Sequence, residues 1–176
     1  SKLLLEKGNN VHGIDSINNY YDVKLKKARL KILKKYKNFS FSKTRLENDK
    51  KIKIIFKKFK PKIVIHLAAQ AGVRYSIDKP RVYLKSNING TFNVIESSHE
   101  IKVKHLIMAS SSSVYGANKK IPFKEIDQTE TQLSIYAATK KANESMAHAY
   151  SNIWKIPITM LRFFTVYGPW GRPDMA

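Results

Sequence analysis

Three side chains in the second half of the sequence could carry out acid–base chemistry together: Ser111, Tyr136 and Lys140. Ser111 lies in "SSSSVYG", residues 110–116, and the other two bound "YAATK", residues 136–140. On a helix, positions i and i+4 sit one above the other on the same face. An ammonium placed there favours the charged form of a neighbouring phenol, which makes the tyrosine a candidate general base. A serine hydroxyl delivered from a strand end can hold the same substrate hydroxyl and position the proton in transit. Such a set suits removal of a proton from a secondary alcohol while the carbon-bound hydrogen leaves as hydride, giving a ketone. A tyrosine and lysine at this spacing are, on their own, more often a solvated surface pair. The elements that carry them decide the matter.

Apolar runs alternate with helical patterns along the whole length. A helix ending at Gly8 precedes a strand "VHGID" over Val11–Asp15, and a lysine-rich helix over 24–37 precedes a strand "FSFSK" over Phe39–Lys43. A helix over 51–59, stopped by Pro61, leads to "KIVIHLA" over 62–68, a β-branched run of the kind buried in parallel sheets. The pattern then predicts a helix over 80–100 with Val82, Leu84, Ile88, Phe92 and Ile95 as its apolar stripe. A strand over 105–111 follows, then a loop through Pro122, a helix over 135–154 and a last strand over 156–164. This β-α alternation is the mark of a doubly wound α/β fold, whose ligands bind at the carboxyl ends of the strands. Ser111 stands at one such end, with Tyr136 and Lys140 on the next helix. Asp15 stands at another, where a carboxylate accepts from ribose hydroxyls, although a turn or helix-capping role fits it equally well. The small residues of "HLAAQAG", 66–72, would let a flat cofactor approach the backbone closely.

Composition removes several other classes. The sequence has 176 residues and no Cys, so a disulfide framework and thiolate metal sites are excluded. The five His show no metal-ligand spacing, and no metal is expected. No apolar run reaches the roughly 18 residues of a membrane span, and "SKLLLEKG" does not read as a signal peptide, which makes a cytoplasmic protein the expectation. The net charge of +20 is densest in "KLKKARLKILKKYK", where Leu25, Ala28, Ile32, Leu33 and Tyr36 define one helix face. We read the lysines there as a solvated outer surface. No aromatic stacking platform or groove-reading motif accompanies them, so no nucleic-acid partner is expected.

The residues together resemble the extended short-chain dehydrogenase/reductase family, the nucleotide-sugar epimerases and dehydratases, over essentially the whole length. The motifs that carry the resemblance are "GIDSINNYYDVKLKKARL", "HLAAQAGVRYS", "SNINGTFNVIE", "SSSSVYG", "YAATK" and "LRFFTVYGPWGRPDMA". The resemblance implies a bound NAD, with Ser111, Tyr136 and Lys140 as the catalytic set and Lys140 also holding the nicotinamide ribose. It places Asp15, Leu67, Ala68, Ala69, Asn87, Tyr136, Lys140 and Phe164 around the cofactor. Ser112 and Ser113 stand where the dehydratases carry an acid and a base, which disfavours dehydration. The stretch "FFTVYGPWGRPDMA" is most similar to the UDP-glucuronate 4-epimerases. That likeness puts Ser112, Ser113, Thr165 and Arg172 around the sugar carboxylate, with Arg74 also in the substrate site. Hydroxyl donors and a forked guanidinium suit a carboxylate. The implied partners are a UDP-sugar and, through the two long helices, a second copy of the protein.

The sequence also departs from this family. The family opens on a strand and a G-x-x-G-x-x-G turn that holds the pyrophosphate, and "SKLLLEKG" matches only the second half of the helix that follows that turn. The expected fold is therefore a doubly wound, Rossmann-type parallel sheet lacking its first central strand and the carboxyl-terminal substrate domain. Residues 1–176 are expected to form one NAD-binding domain, with 165–176 opening the substrate-binding region. Backbone groups left unpaired beside an absent central strand cost about 1–3 kcal/mol each, against a typical total stability of about 5–15 kcal/mol. The 176 residues alone are thus expected neither to hold NAD tightly nor to turn over substrate. Where the family usually carries an Asp that contacts adenine, Arg45 precedes Leu46.

Overall fold

In the computed structural model, residues 1–171 are described, and they form two compact units. One comprises Ser1–Arg45 with the chain from Thr165 onward; the other is Leu46–Phe164.

In the first unit, helix α1 (Lys2–Glu6) turns through Gly8 into strand β1 (Val11–Asp15). Helix α2 (Val23–Leu33) begins where Asp22 accepts the Lys24 N–H at 2.7 Å, and strand β2 (Phe39–Lys43) follows. The two strands are parallel, Val11 opposite Phe39 and Asp15 opposite Lys43. Both occupy the predicted residues. α2 stops short of the predicted 24–37, because the chain turns at 34–38 so that Asn38 can donate to the carbonyls of Leu5 and Asn9. Its apolar face is only half-buried, while Lys26 in the same helix is buried. Lys26 Nζ donates to the Asn18 carbonyl at 2.8 Å and to Asn18 Oδ1 at 2.6 Å, and lies over the Tyr21 ring. Burial lowers its pKa, with Asp15 pulling the other way. Arg29 donates to the Tyr21 hydroxyl at 2.6 Å and to the carbonyls of Trp170 and Gly171. The lysine-rich stretch is therefore not wholly a solvated surface: two of its cations are spent inside this unit.

The second unit is a three-stranded parallel sheet with helices. Helix α3 (Asp49–Phe59) is capped by Asn48 Oδ1, which accepts the Lys51 N–H at 3.0 Å, and ends in a left-handed residue, Lys60, before Pro61. Strands β3 (Ile63–His66), β4 (His105–Ala109) and β5 (Ile158–Leu161) lie in that order, Ile63 beside His105 and Leu106 beside Ile158. Each is shorter than its apolar run, which continues past the ladder into the loops that carry the site. Leu106, Met108, Ile95, Val94, Ile52, Phe56 and Val114 form the core. Burying each such side chain contributes about 1.5–3 kcal/mol before the entropy of ordering is subtracted.

The predicted helix over 80–100 needs correction. A short helix α4 (Val73–Asp78) that the pattern did not predict comes first, and the predicted span is helical throughout but runs as α5 (Pro80–Tyr83), a π-helical turn (Leu84–Asn89) and α6 (Gly90–Glu100). Its buried face is Tyr83, Asn87, Gly90, Thr91, Val94, Ile95 and Ser98, whereas Leu84 and Phe92 are exposed. The π turn adds a residue to one turn and rotates the face. Close packing then selects small residues, since a Cβ on Gly90 would lie 2.8 Å from Leu46 Cβ.

After β4, a short 3₁₀ helix (Ser112–Tyr115) ends at Gly116, and helix α7 (Ile135–Trp154) occupies the predicted span. Gly116 has φ +56 and ψ −124, and a Cβ there would lie 1.9 Å from the Thr131 carbonyl oxygen. Backbone, rather than a movable side chain, fills that space. Gly116→Ala is expected to cost about 2–5 kcal/mol, combining backbone strain with overpacking. Chemical denaturation of the full-length protein measures it, and a variant within about 0.5 kcal/mol of the wild type contradicts it.

Candidate active site

Within the second unit, Ser111 follows the carboxyl end of β4 by two residues, and Lys140 reaches the last residue of that strand. Ser134 caps α7 by accepting the Ala137 N–H at 3.1 Å, and Ala137, Lys140, Asn143, Ala147 and Tyr150 form its buried face. Lys140 is 4% exposed, and its Nζ donates to the Ala109 carbonyl at 2.8 Å, two residues before Ser111. Burial pulls its pKa down from 10.5 to about 8. Ser111 is itself buried, and its backbone is fixed on both sides: Ser110 N–H donates to Leu161 and Ser112 N–H to Phe163, each at 2.8 Å. Its Oγ accepts the Ser113 N–H and meets Ser113 Oγ, both at 3.2 Å, capping the 3₁₀ helix.

Tyr136 lies one turn before Lys140 and is half-buried. The Tyr83 ring meets its ring edge-on, centroids 6.1 Å apart, and Thr139 Oγ1 donates to its carbonyl at 2.8 Å. Neither Tyr83 nor Thr139 was anticipated. Tyr83 was masked by the wrong helix face, and Thr139 is the unremarked inner residue of "YAATK".

Asn87 is fully buried in the π turn and grips Gln70 at both backbone groups: Oδ1 accepts its N–H at 2.7 Å and Nδ2 donates to its carbonyl at 3.0 Å. Nδ2 also meets Thr139 Oγ1 at 3.1 Å. Its side chain thus fixes the loop after β3 to α7. Leu67 and Ala68 in that loop are exposed and Ala69 half-buried. Phe164 is exposed and lies near Tyr115 and Phe123, which stack on each other 4.5 Å apart. Arg74 is exposed on α4, and Ser112 is half-buried.

Asp15 and Thr165 belong to the first unit, where both are exposed. Asp15 Oδ1 accepts the Ile17 N–H at 2.6 Å. Arg172 lies outside the described residues. Asp49, near the unusual Arg45, opens α3 and pairs with Lys53 at 3.5 Å. Among the described residues no cluster of three or more His, Asp or Glu could hold a metal, and no helix is long and apolar enough to cross a membrane.

Beneath Lys140, His66 at the end of β3 is buried, with Nε2 3.0 Å from Thr91 Oγ1. Burial, and secondarily the charge of Lys140, push its pKa from 6.5 down to about 3. The folded imidazole is neutral while the unfolded chain binds a proton below about pH 6.5, so stability is whole above that pH and falls as pH drops toward 3. Between pH 7 and pH 5 this group is expected to remove about 2 kcal/mol. His66→Gln does not titrate and should flatten that dependence. Urea unfolding at the two pH values checks it, and an equal slope in both proteins contradicts it.

Residues 1–176 match the model of the NAD dependent epimerase/dehydratase family. The chain is 55% identical over 176 residues to Protein CapI of Staphylococcus aureus, covering all of this chain and 52% of that relative. It is 48% identical to the probable UDP-glucuronate 4-epimerase of Rhizobium meliloti, again over 100% of this chain and 52% of the relative. Among solved structures it superposes on the UDP-glucuronic acid 4-epimerase of Bacillus cereus in complex with UDP-glucuronic acid and NAD, with a TM-score of 0.91 and 34% identity, covering 99% of this chain and 55% of that one. The chain spans about half the length of the curated relatives it matches.

Proposed function

Because the chain belongs to the NAD dependent epimerase/dehydratase family, with the Rossmann-like α/β fold of its relatives, we propose that the full-length protein is a nucleotide-sugar 4-epimerase interconverting UDP-glucuronate and UDP-galacturonate. One observation carries the chemistry: a buried lysine ammonium seated on Ala109, the last residue of β4 and two residues before Ser111, with Tyr136 one turn away. The substrate is supported by the names of the relatives.

The residues present fit NAD. Lys140 has three N–H donors and, among the described residues, one acceptor, the Ala109 carbonyl, which leaves donors for ribose hydroxyls. The exposed loop Leu67, Ala68, Ala69 offers a small-residue surface to a flat ring system, and Phe164 an exposed aromatic face. In the other unit, Asp15 spends Oδ1 on its own turn and presents an exposed carboxylate to ribose hydroxyls. NAD held by these residues would supply a reversible hydride acceptor for the sugar C4 carbon.

Tyr136 takes the proton of the sugar C4 hydroxyl as general base, and Ser111 turns its hydroxyl from Ser113 to hold the same oxygen. The intermediate is a 4-keto-hexuronate. The family resemblance assigns its carboxylate to Ser112, Ser113, Thr165 and Arg172 and puts Arg74 in the substrate site. Reprotonation by Tyr136 after the sugar has rotated completes the inversion. Turnover of UDP-glucuronate, UDP-glucose and UDP-N-acetylglucosamine by the full-length protein, compared as kcat/KM, tests the substrate. Preference for the uronate supports the reading, and preference for a neutral sugar overturns it.

A further inference from the structure

We propose that Glu144 is a positioning residue for this site, coupling Ser111 to the helix that carries Tyr136 and Lys140. The inference rests on the acid–base reading above, not on which sugar is bound.

Glu144 lies on α7 one turn beyond Lys140, on a side chain 11% exposed. Its carboxylate takes a fork from Arg162, Nε on Oε1 and Nη2 on Oε2, both at 3.0 Å. Oε1 also accepts the Ser110 hydroxyl at 2.6 Å. Arg162 in turn donates through Nη1 to the Glu125 carbonyl at 3.0 Å and lies over the Tyr115 ring. Ser110 and Arg162 are the residues immediately after β4 and β5, and Ser110 precedes Ser111. One carboxylate therefore joins the carboxyl ends of two strands to the helix that carries Tyr136 and Lys140.

The arrangement is built for geometry rather than stability. Burial works against the carboxylate charge, yet hydrogen bonds from Arg162 and Ser110 hold its pKa below the usual range. Pairs of this kind recover little net stability after desolvation. A planar bidentate fork fixes distance and orientation. Near the reacting atoms, small displacements cost large factors in rate: a 1 Å misplacement costs about 100-fold.

The test uses the full-length protein with its cofactor. Glu144→Gln keeps the shape and an acceptor but removes the charge, and Ser110→Ala removes only the hydroxyl on Oε1. Glu144→Gln is expected to lower kcat by about 10- to 100-fold with KM little changed and NAD retained. Ser110→Ala should lower kcat less, and the double variant should be no worse than Glu144→Gln alone, because the two act through one contact. Glu144→Asp should recover part of the loss. If Glu144→Gln folds poorly, Ser110→Ala decides on the same kcat readout. Folded, NAD-loaded variants with wild-type kcat, or losses confined to KM, overturn the proposal. Should the wild type prefer a neutral nucleotide sugar, the substrate reading fails, and the same comparison on that sugar still decides the role of Glu144.

Discussion

Tyr136→Phe in the full-length protein is expected to lower kcat for 4-epimerisation by about 10²–10⁴-fold, with KM changed only slightly. The substitution removes the phenolic oxygen and leaves the ring. The ring packs edge-on against Tyr83, and the backbone is held by Thr139, so both supports survive the change. Lys140 keeps its seat on the Ala109 carbonyl, and Ser111 keeps its place at the strand end. What disappears is the group assigned to take the C4 hydroxyl proton. Steady-state rates, with NAD content measured on the same samples, separate that loss from loss of cofactor. A variant within about tenfold of the wild type would remove Tyr136 from the proposed role.

Lys140→Met should move activity and stability in opposite directions. Burial lowers the pKa of Lys140 from 10.5 to about 8, so keeping the ammonium charged at pH 7 costs the fold about 3 kcal/mol. The bond to Ala109 is included in what holds it there, and losing that bond gives back about 1–2 kcal/mol of the gain. Cofactor-free Lys140→Met is therefore expected to be about 1–2 kcal/mol more stable than the wild type at pH 7, while catalysis falls by more than about 100-fold. The pH dependence fixes the cause. Between about pH 8 and 10.5 the unfolded lysine keeps its proton and the folded one does not, so wild-type stability rises with pH across that window. The variant lacks that rise. Denaturation at pH 7 and pH 9.5 distinguishes the outcomes: a less stable variant with an unchanged slope would contradict the account.

Much of this was legible in particular residues. β1 and β2 occupy the predicted positions because "VHGID" and "FSFSK" are short extended runs between clear turns. α7 spans the predicted 20 residues because Ser134 caps it and no Gly or Pro interrupts it. The Ser111, Tyr136 and Lys140 spacing was visible for the same local reason. The buried face of the helices before β4 was not, because its phase depends on a π turn set by Asn87 gripping Gln70. Nor was the Glu144–Arg162 fork, whose members are distant in sequence and individually unremarkable surface types. The charge pattern misled for a related reason. Lys26 and Arg29 look solvated in a lysine-rich run, yet each is spent on carbonyls or hydroxyls that only the folded chain brings near.

The central claim is that a proton and a hydride leave the sugar C4 position and the same hydride returns. UDP-glucuronate carrying deuterium at C4, given to the full-length protein without added cofactor, tests it most directly. The account predicts UDP-galacturonate that retains the deuterium at C4 in ordinary water. Product that has lost the label to solvent, or no product from loaded and folded protein, would contradict it.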